Sequence, residues 1–563
     1  MSIYIFFRLI CLGPTFIVVK HALISYSQLC SFLCVIFCAL ATYGQELLQL
    51  NSYYGTSDHI AKTNCFAESG ALYLGGQFSG EVFIGLNNAM SFNRNGVYIS
   101  KQYSDGTMPF LQSWTGSAFL SISSLTVQGD SVLVVGTFSD TLFVDNDTLI
   151  NDGLKSGYMV VLDTLGSILS SWNLSSYSSE IYDVCFTKQG YIALCGEFYN
   201  TMTIDQQLYS APLGFNSFVV KMDPSTLESV WVRTSNGTAT NARKIGSDKF
   251  DNLYATGSYG NGTSIEGQQL SEVQGEHNAF TVSYNANGEL NWVKTMRSSV
   301  QSHGISQSVT ENGDVYVGGE YEMDLEVAPS ISYGNSGLMD AFFVKYNLNG
   351  SILWSGVAGG IENDILTDIT LDETDNPVFL FNGGDLTIDS MANLTEGFRS
   401  PTLAKIDKSS GELVWSYRLP VAPSSGIAEG YSLDCSNDLI TLCGSNRTGL
   451  FYFGEILDSP NLDDSFWAII RDTLQGSGIS SINELQEGFT RIYPNPAVSA
   501  FTIESSNDTP IVSVEIFDSK ATLLKHLNYN EKRVEFDEPL EKGMYHLRIT
   551  TNQGTYYNKL LKL

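Results

Sequence analysis

The sequence predicts an all-β protein, a seven-bladed β-propeller followed by a small C-terminal β-sandwich. Its tryptophans recur at nearly equal intervals of about sixty residues, which is typical of a copied and stacked supersecondary unit. Tyr and Phe are abundant, and the 51 Gly far outnumber the 14 Pro, a composition that favours strands and turns over disorder. The regularly spaced tryptophans are Trp114, Trp172, Trp231, Trp292, Trp354 and Trp415.

Each repeat contains four strand patterns. A short strand and a Gly-ended strand flank a polar turn, as in 311–321 (ENGDVYVGGEY). A variable stretch of about twenty residues precedes a third, alternating strand such as 217–223 (SFVVKMD), and after another turn the tryptophan strand ends the unit. Period-two alternation and Gly- or Asn-bearing turns indicate antiparallel hairpins. Four such strands form one propeller blade; a β-solenoid is the alternative, although its rungs are usually shorter.

The number of blades follows from the two ends of the repeat region. Six complete units end at the six tryptophans, and a seventh begins near Gly430 and ends at 465–472. In this last unit Trp467 occupies the position of Val219 in the third strand, and no tryptophan strand follows. Residues 46–55 read like the missing fourth strand, so we expect them to complete the last blade and close the ring, which hides its edge strands.

At the level of the repeat, residues 46–472 resemble the seven-bladed propeller repeats of secreted bacterial proteins. This resemblance implies the fold and says little about function, because propellers host lyases, glycosidases, lectins and scaffolds alike.

The N-terminus predicts export. Leu29 to Ala41 is a thirteen-residue apolar run preceded by Lys20, too short to span a bilayer as a helix, and it ends in a small-x-small cleavage motif. We therefore divide the chain into a signal peptide (1–44), the propeller (45–475), a polar linker (476–487) and a C-terminal module (488–563).

The C-terminal module has alternating strands behind a YPNP motif and ends in KLLKL. These features resemble the type A C-terminal sorting domain of the type IX secretion system of Bacteroidota. The resemblance implies the secretion machinery as a partner and a secreted or cell-surface location, with release or attachment to surface lipopolysaccharide. The matching residues are Tyr493, Pro494, Asn495, Pro496, Gly543, Tyr545, Gly554, Lys559 and Lys562.

Five cysteines follow the leader. Cys185 and Cys195 flank one hairpin and Cys435 and Cys443 the equivalent one, and their even separations place the thiols of each pair on one face. Each pair is a candidate disulfide in an oxidising compartment, or alternatively two small residues packed between blades. Cys65 aligns with Cys185 but has a glycine at its partner position, so we expect a free thiol.

Catalytic patterns are absent from the sequence, and we assign no catalytic, cofactor-binding or metal-binding residue. His59 and His303 fall in segments leading into the first strand of their blades, where exposed loop residues are the expectation and a ligand rim is the alternative. Acidic residues recur in the same segments, and a pair of carboxylates could hydrolyse glycosides. These acids are Asp58, Glu180, Glu362, Asp364 and Glu429.

The composition bounds the function. A formal net charge of −30 argues against a nucleic-acid partner.

We predict an exported binding or scaffold protein without a cofactor, whose extracellular ligand is a glycan or a protein. The alternative is a secreted polysaccharide lyase or glycoside hydrolase with its site at the propeller funnel, and a third possibility is a structural adhesion component. If the protein is an enzyme, we expect acids and histidines to converge at one site. If it is a lectin, we expect exposed aromatic rings on the loop face, and if it is a scaffold, we expect neither. The repeated tryptophans are expected to pack between blades.

Overall fold

The computed structural model describes two ranges of the chain. The first is 45–472, apart from 53, 56–57, 85–86, 104–106, 385, 389–391, 395–398, 420–426, 448–449, 453–454 and 458–463. The second is 490–562, apart from 494–500, 506–509, 518–522, 537–542 and 552–553. The predicted leader and linker lie outside these ranges. Within them every regular element is a β-strand, and the chain divides into two compact units, Met1–Gln475 and Gly476–Leu563.

Seven antiparallel sheets of four core strands form the first unit, which confirms the predicted propeller. The first strands of neighbouring blades lie against one another in a closed circuit, so they line the axis, and the fourth strands lie outermost. Blades 1 to 3 comprise His59–Phe66, Leu72–Ile84, Asn87–Gln102 and Phe110–Gly116; Leu120–Gln128, Ser131–Phe138, Ser156–Asp163 and Ile168–Asn173; Ser175–Phe186, Ile192–Ile204, Gln207–Met222 and Ser229–Asn236. Blades 4 to 6 comprise Asn241–Ser247, Leu253–Tyr259, Asn278–Tyr284 and Leu290–Met296; Gln301–Val309, Val315–Ala328, Ile331–Tyr346 and Ile352–Gly359; Ile365–Leu371, Pro377–Gly383, Ser400–Ile406 and Leu413–Arg418.

The seventh blade is closed by the N-terminal strand. Its first three strands are Ala428–Ser436, Leu439–Asn446 and Asp464–Asp472, and Gln45–Ser52 is its outermost strand. Leu50 lies opposite Ala468 in an antiparallel register. The predicted three-plus-one closure is therefore confirmed.

Hydrophobic clusters fill the spaces between adjacent blades, as when Leu133 and Met159 of blade 2 pack with Ile181 and Phe198 of blade 3. Four of the repeated tryptophans add polar contacts across the same junctions, because their indole N–H groups donate to the next blade. The contacts are Trp231 to the carbonyl of Ala286 (3.1 Å), Trp292 to Leu348 (2.9 Å), Trp354 to Lys408 (3.1 Å) and Trp415 to the Asp472 carboxylate (3.2 Å).

Three of the indoles, those of Trp231, Trp292 and Trp354, pack on a turn that carries glycine. At Gly288 the φ angle is 82°, and a Cβ atom there would lie 2.8 Å from the Trp231 ring. Gly350 repeats both features beneath Trp292, with a φ of 74°. A side chain at these turns would be strained and would also push the indole away.

The variable stretch between the second and third strands forms a two-stranded ribbon, which the repeat pattern did not reveal. In blades 1, 3 and 5 the ribbon continues the second and third strands, whereas in blades 2, 4 and 6 it folds over and pairs with the outermost strand of the preceding blade. The separate ribbon strands are Thr141–Val144 and Asp147–Ile150, Ser264–Ile265 and Gln268–Gln269, Leu386–Ile388 and Ala392–Leu394, and Leu450–Tyr452 and Glu455–Leu457. A further short strand, Tyr54–Gly55, pairs with the second strand of blade 1.

The second unit is a small β-sandwich. One sheet holds Thr490–Tyr493, Phe501–Ser505 and Arg533–Phe536, and the other holds Ile511–Phe517, Leu523–Glu531, Gly543–Thr551 and Gly554–Lys562. One hydrophobic cluster joins the two sheets, with Phe501 and Phe536 stacked at 4.7 Å. This arrangement agrees with the predicted C-terminal fold.

Loss of packing on the closing strand should weaken the whole ring. Leu50 is 4% exposed, so L50A is expected to lower the free energy of unfolding by about 2–4 kcal/mol. Denaturant titration followed by tryptophan fluorescence measures this. The control L208A removes a 62% exposed side chain from the ribbon of blade 3 and should change stability by less than about 0.5 kcal/mol. Equal effects of the two variants would contradict a stabilising closure.

Candidate functional site

Every first strand carries a β-bulge at the equivalent position, so one residue per blade has no partner on the second strand. A bulge re-aims its side chain, and here the bulged residues of neighbouring blades meet. The Arg243 guanidinium lies 6.0 Å from the centre of the Tyr182 ring, and the Lys62 ammonium lies 4.0 Å from that of Tyr431. The seven bulged residues are Lys62, Ser123, Tyr182, Arg243, Ile305, Thr367 and Tyr431.

The residues directly after the bulges form a second ring, which we call the axial belt: Thr63, Ser124, Asp183, Lys244, Ser306, Asp368 and Ser432. Five of these side chains accept a hydrogen bond from a backbone N–H of the next blade, including the bond from blade 1 back to blade 7. The bonds run from Leu125 to Thr63 (3.3 Å), Ile245 to Asp183 (2.9 Å), Ile369 to Ser306 (3.2 Å), Leu433 to Asp368 (2.9 Å) and Asn64 to Ser432 (3.3 Å).

The belt holds buried charge. Lys244 Nζ lies 3.1 Å from Asp368 Oδ1; burial alone would lower the pKa of Lys244, but the Asp368 and Asp183 carboxylates outweigh it and raise that pKa. Burial raises the pKa of Asp183, and it raises the pKa of the neighbouring Asp434 to about 6. Because these groups are engaged in joining blades, we assign the belt a structural role. Most belt residues, together with the residues that follow them in all seven blades, line a cavity of about 290 Å³.

On the other side of the belt, three neighbouring blades bring titratable side chains together at the channel mouth. Glu180 and Glu197 lie directly opposite each other on the first two strands of blade 3, and His303 and Glu320 do so in blade 5. We define the mouth cluster as these four residues with Tyr182 and Arg243.

Arg243 of blade 4 joins the two halves of the mouth cluster, since its charge acts on Tyr182, Glu197, His303 and Glu320. Burial, followed by the Glu180 carboxylate, raises the pKa of Glu197 to about 7. Burial also raises the pKa of Glu320. Burial and the Arg243 charge lower the pKa of His303 to about 4, so this imidazole is neutral at physiological pH.

The cluster has hydrogen-bonding partners as well as charge. Glu180 Oε1 lies 2.6 Å from Lys155 Nζ. The Ser258 hydroxyl lies 2.9 Å from His303 Nδ1. The site therefore offers carboxylates, a guanidinium, a phenol and a neutral imidazole within one opening, a set suited to polar ligand groups and to proton transfer.

The two histidines singled out from the sequence have different positions. His303 belongs to the mouth cluster, on a strand rather than in a loop. The expectation of an exposed loop is wrong for His59, which begins the first strand of blade 1 and is 1% exposed. The Ser465 N–H donates to His59 Nδ1 (3.1 Å), and Nε2, which carries the proton, lies 3.0 Å from Asp464 Oδ1. His59 therefore links blade 1 to blade 7.

Of the acidic residues noted in the sequence, only Glu180 enters the mouth cluster. Asp58 and Glu362 are exposed, and Glu429 pairs with Arg399 at 3.3 Å. Asp364 is fully buried between blades 5 and 6, where burial raises its pKa to about 7. The sequence did not single out Tyr182, Glu197, Arg243 or Glu320, because none lies in a recognisable motif.

All five described cysteines are free thiols. Cys185 and Cys195 share a face, but Cys185 lies opposite Ala193, so the two thiols are diagonal. Diagonal neighbours are about 7–8 Å apart, beyond the usual Cα separation of a disulfide. The expectation of a shared face is wrong for Cys435 and Cys443, because Cys435 lies one residue further along its strand than the position equivalent to Cys185.

Residues of the sorting motif line up along the last two strands of the second unit. Gly543 lies opposite Lys562, the buried Tyr545 opposite Leu560, and Lys559 opposite His546. Gly554 starts the last strand and Tyr493 ends the first; Pro494, Asn495 and Pro496 fall outside the described residues.

The described residues contain neither a cluster of metal ligands nor a membrane-spanning helix. No group of three or more His, Cys, Asp or Glu side chains there is arranged to hold a metal ion. Nor does the described part of the chain contain a helix long and apolar enough to cross a membrane.

Comparison with known proteins identifies the C-terminal unit. Residues 491–562 match the family of secretion system C-terminal sorting domains. The chain is 31% identical over 146 residues to ulvan lyase NLR42 of Nonlabens ulvanivorans, a match that covers 25% of this chain and only 26% of that protein.

Two solved structures match the chain at low identity. PorZ, a surface component of the type IX secretion system of Porphyromonas gingivalis, has 11% identity and a TM-score of 0.31, covering 92% of this chain and 75% of PorZ. Quinohemoprotein alcohol dehydrogenase of Comamonas testosteroni has 9% identity and a TM-score of 0.36, covering 80% of each chain. Both TM-scores are too low to support an inference.

The C-terminal unit thus carries a type IX sorting domain of the kind found in Bacteroidota, which engages the secretion machinery. The protein is secreted or attached at the outer cell surface.

Removal of the belt carboxylate should destabilise the ring. D368A leaves the Leu433 N–H without its acceptor and Lys244 without its counter-charge, so we expect a loss of about 2–4 kcal/mol in unfolding free energy. D368N retains a carbonyl acceptor and should cost less. Unfolding of D368A at the wild-type denaturant midpoint would contradict the structural role of the belt.

The raised pKa of Glu197 predicts a pH-dependent gain in stability on its removal. The folded protein holds this proton more tightly than a free carboxyl of pKa 4.5, so ionisation of Glu197 opposes folding as pH rises from about 4.5 to about 7. E197Q should therefore unfold at higher denaturant concentration than wild type at pH 8 and at the same concentration near pH 4. The exposed variant E373Q serves as control, and a constant difference at both pH values would refute the assignment.

Proposed function

We propose that this exported propeller is a binding protein whose recognition site is the mouth cluster. The observation that carries the proposal is the convergence of six polar side chains, from three consecutive blades, on one opening around Arg243. A purely structural propeller has no need to keep Glu197 and Glu320 partly buried with raised pKa values, since each opposes folding when ionised.

The sorting domain supplies the location for this function. After passage through the secretion machinery, the propeller meets extracellular glycans and proteins, and these are the ligand classes we propose. Attachment to surface lipopolysaccharide is the proposed means of retention on the cell.

A second candidate function is polysaccharide cleavage. A carboxyl of pKa about 7 can donate or accept a proton near neutral pH, and Glu197 has that property beside Glu180. Directly opposed residues have Cβ atoms about 5 Å apart, which suits the short carboxyl separation of retaining glycosidases. Alternatively, Arg243 could neutralise a uronate and His303 accept a proton, as lyase chemistry requires. Resemblance to an ulvan lyase over about a quarter of each protein gives this candidate weak support.

The test is a polysaccharide panel applied to the exported protein, with both retention and product release measured. The panel comprises neutral glucan, mannan and xylan, acidic alginate, pectin and ulvan, and lipopolysaccharide from the producing cells. R243A and E197Q should each weaken binding by about tenfold or more, which corresponds to about 1.4 kcal/mol.

The control variant is Q77A, because Gln77 holds in blade 1 the position that Glu197 holds in blade 3. We expect Q77A to bind as wild type does. New reducing ends or unsaturated products that disappear in E197Q would favour the enzyme. Absence of both binding and products across the panel, or equal binding by all variants, would overturn the proposed site.

A further inference from the structure

Blade 3 presents three exposed aromatic rings in mutual contact, which we call the aromatic wall: Tyr177, Tyr199 and Phe215. They are 42%, 40% and 39% exposed. The ring centres of Tyr177 and Tyr199 are 6.1 Å apart, and those of Tyr199 and Phe215 are 5.1 Å apart. Contiguous exposed apolar surface of this kind is a candidate binding site.

The register connects the wall to the mouth cluster. Tyr199 lies opposite Phe215 on the third strand and opposite Ser178, next to Tyr177, on the first. Glu197 precedes Tyr199 by two residues on the same strand, so both side chains are on one face. Glu180 lies directly opposite Glu197. The aromatic wall is therefore adjacent to the carboxylates of Glu180 and Glu197 at the channel mouth.

The combination of rings and carboxylates indicates the chemistry of the occupant. A pyranose has apolar C–H faces that pack on aromatic rings and hydroxyls that donate to carboxylates. Pockets built from aromatic side chains and a few oriented polar groups provide both kinds of contact. Protein interfaces fit less well, because their buried centres are depleted of charged residues, whereas Glu180 and Glu197 lie at the end of this wall.

The charge of the protein narrows the ligand class to uncharged sugars. The chain carries a formal charge of −30, which repels polyanions. Beside the wall, the Lys155 charge is balanced by Glu180 at 2.6 Å, and Arg243 lies among the carboxyl groups of Glu197 and Glu320, so neither cation gives the site an excess of positive charge for a sulfate or uronate. An uncharged sugar chain meets no such penalty.

We infer that the aromatic wall binds uncharged pyranose units of an extracellular polysaccharide and directs the chain toward the channel mouth, where Glu197 accepts hydrogen bonds from its hydroxyls. This inference rests on the proposed function and assigns its ligand class and an additional contact surface.

The experiment measures binding of the exported protein to soluble neutral glucan, mannan and xylan by affinity electrophoresis, with isothermal titration on the oligosaccharide of the best ligand. Wild type should bind at least one of these. Y199A and F215A should each weaken that binding about tenfold, whereas Y199F, which keeps the ring, should bind within about twofold of wild type. F250A removes a different exposed ring (53% exposed) and serves as the matched control, with no change expected.

The outcomes separate this inference from the proposed function. Binding only to acidic polysaccharide or lipopolysaccharide, lost in R243A but not in Y199A or F215A, overturns the wall and leaves the mouth site standing. Neutral-glycan binding unchanged in both wall variants also overturns the wall. Absence of binding to every probe overturns both proposals. Since the rings are exposed, the wall variants should unfold at the wild-type denaturant midpoint, so lost binding reports on the surface.

Discussion

The hydrogen-bonded belt around the axis is the constraint on which the rest of the propeller depends. Apolar side chains can pack between blades in several relative orientations. A backbone N–H that donates to a side chain of the preceding blade, in contrast, fixes the offset between the two first strands. Asp368 accepts hydrogen bonds from Ser306 and Leu433 and forms an ion pair with Lys244. This one side chain therefore connects blades 4 to 7. The bulges lie one residue before the belt, and the belt therefore also sets where Tyr182 and Arg243 enter the channel mouth.

Much of the fold was predictable because it repeats. The tryptophan interval reported the blade length, and the missing tryptophan strand after Trp415 correctly indicated a blade completed by residues near Leu50. The site was not predictable in the same way. A bulge shifts the alternation by a single residue, which is hard to recognise in a short strand, so Arg243 reads as an ordinary polar residue. The face of Cys435 was misassigned for a different reason, the length of the hairpin turn. Ser436 lies opposite Leu439 across a short turn, whereas Phe186 lies opposite Ile192 across a longer one in blade 3. His59 was misjudged because its partner, Asp464, is about 400 residues away in sequence.

The ribbons alternate between two forms over blades 1 to 6. Blades 1, 3 and 5 have long second and third strands such as Val315–Ala328, and blades 2, 4 and 6 have short ones such as Leu253–Tyr259 with a separate ribbon. Blade 7 breaks the alternation, because its second and third strands are short and its ribbon is separate. Each ribbon of blades 2, 4 and 6 pairs with the end of the outermost strand of the blade before it, which covers part of an edge that would otherwise be free to pair with another chain. Tyr199 and Phe215 of the aromatic wall lie on the long second and third strands of blade 3, so this alternation also positions the wall.

The position of the closing strand has a consequence for the order of folding. Leu50 and Ala468 pair across nearly the entire propeller, which makes this the contact of highest sequence separation among the blade sheets and, by loop-closure entropy, a late one to form. Until then the third strand of blade 7 has an unpaired edge and the ring is open. The ring can therefore be completed only when the beginning and the end of the propeller lie on the same side of any membrane that the chain crosses.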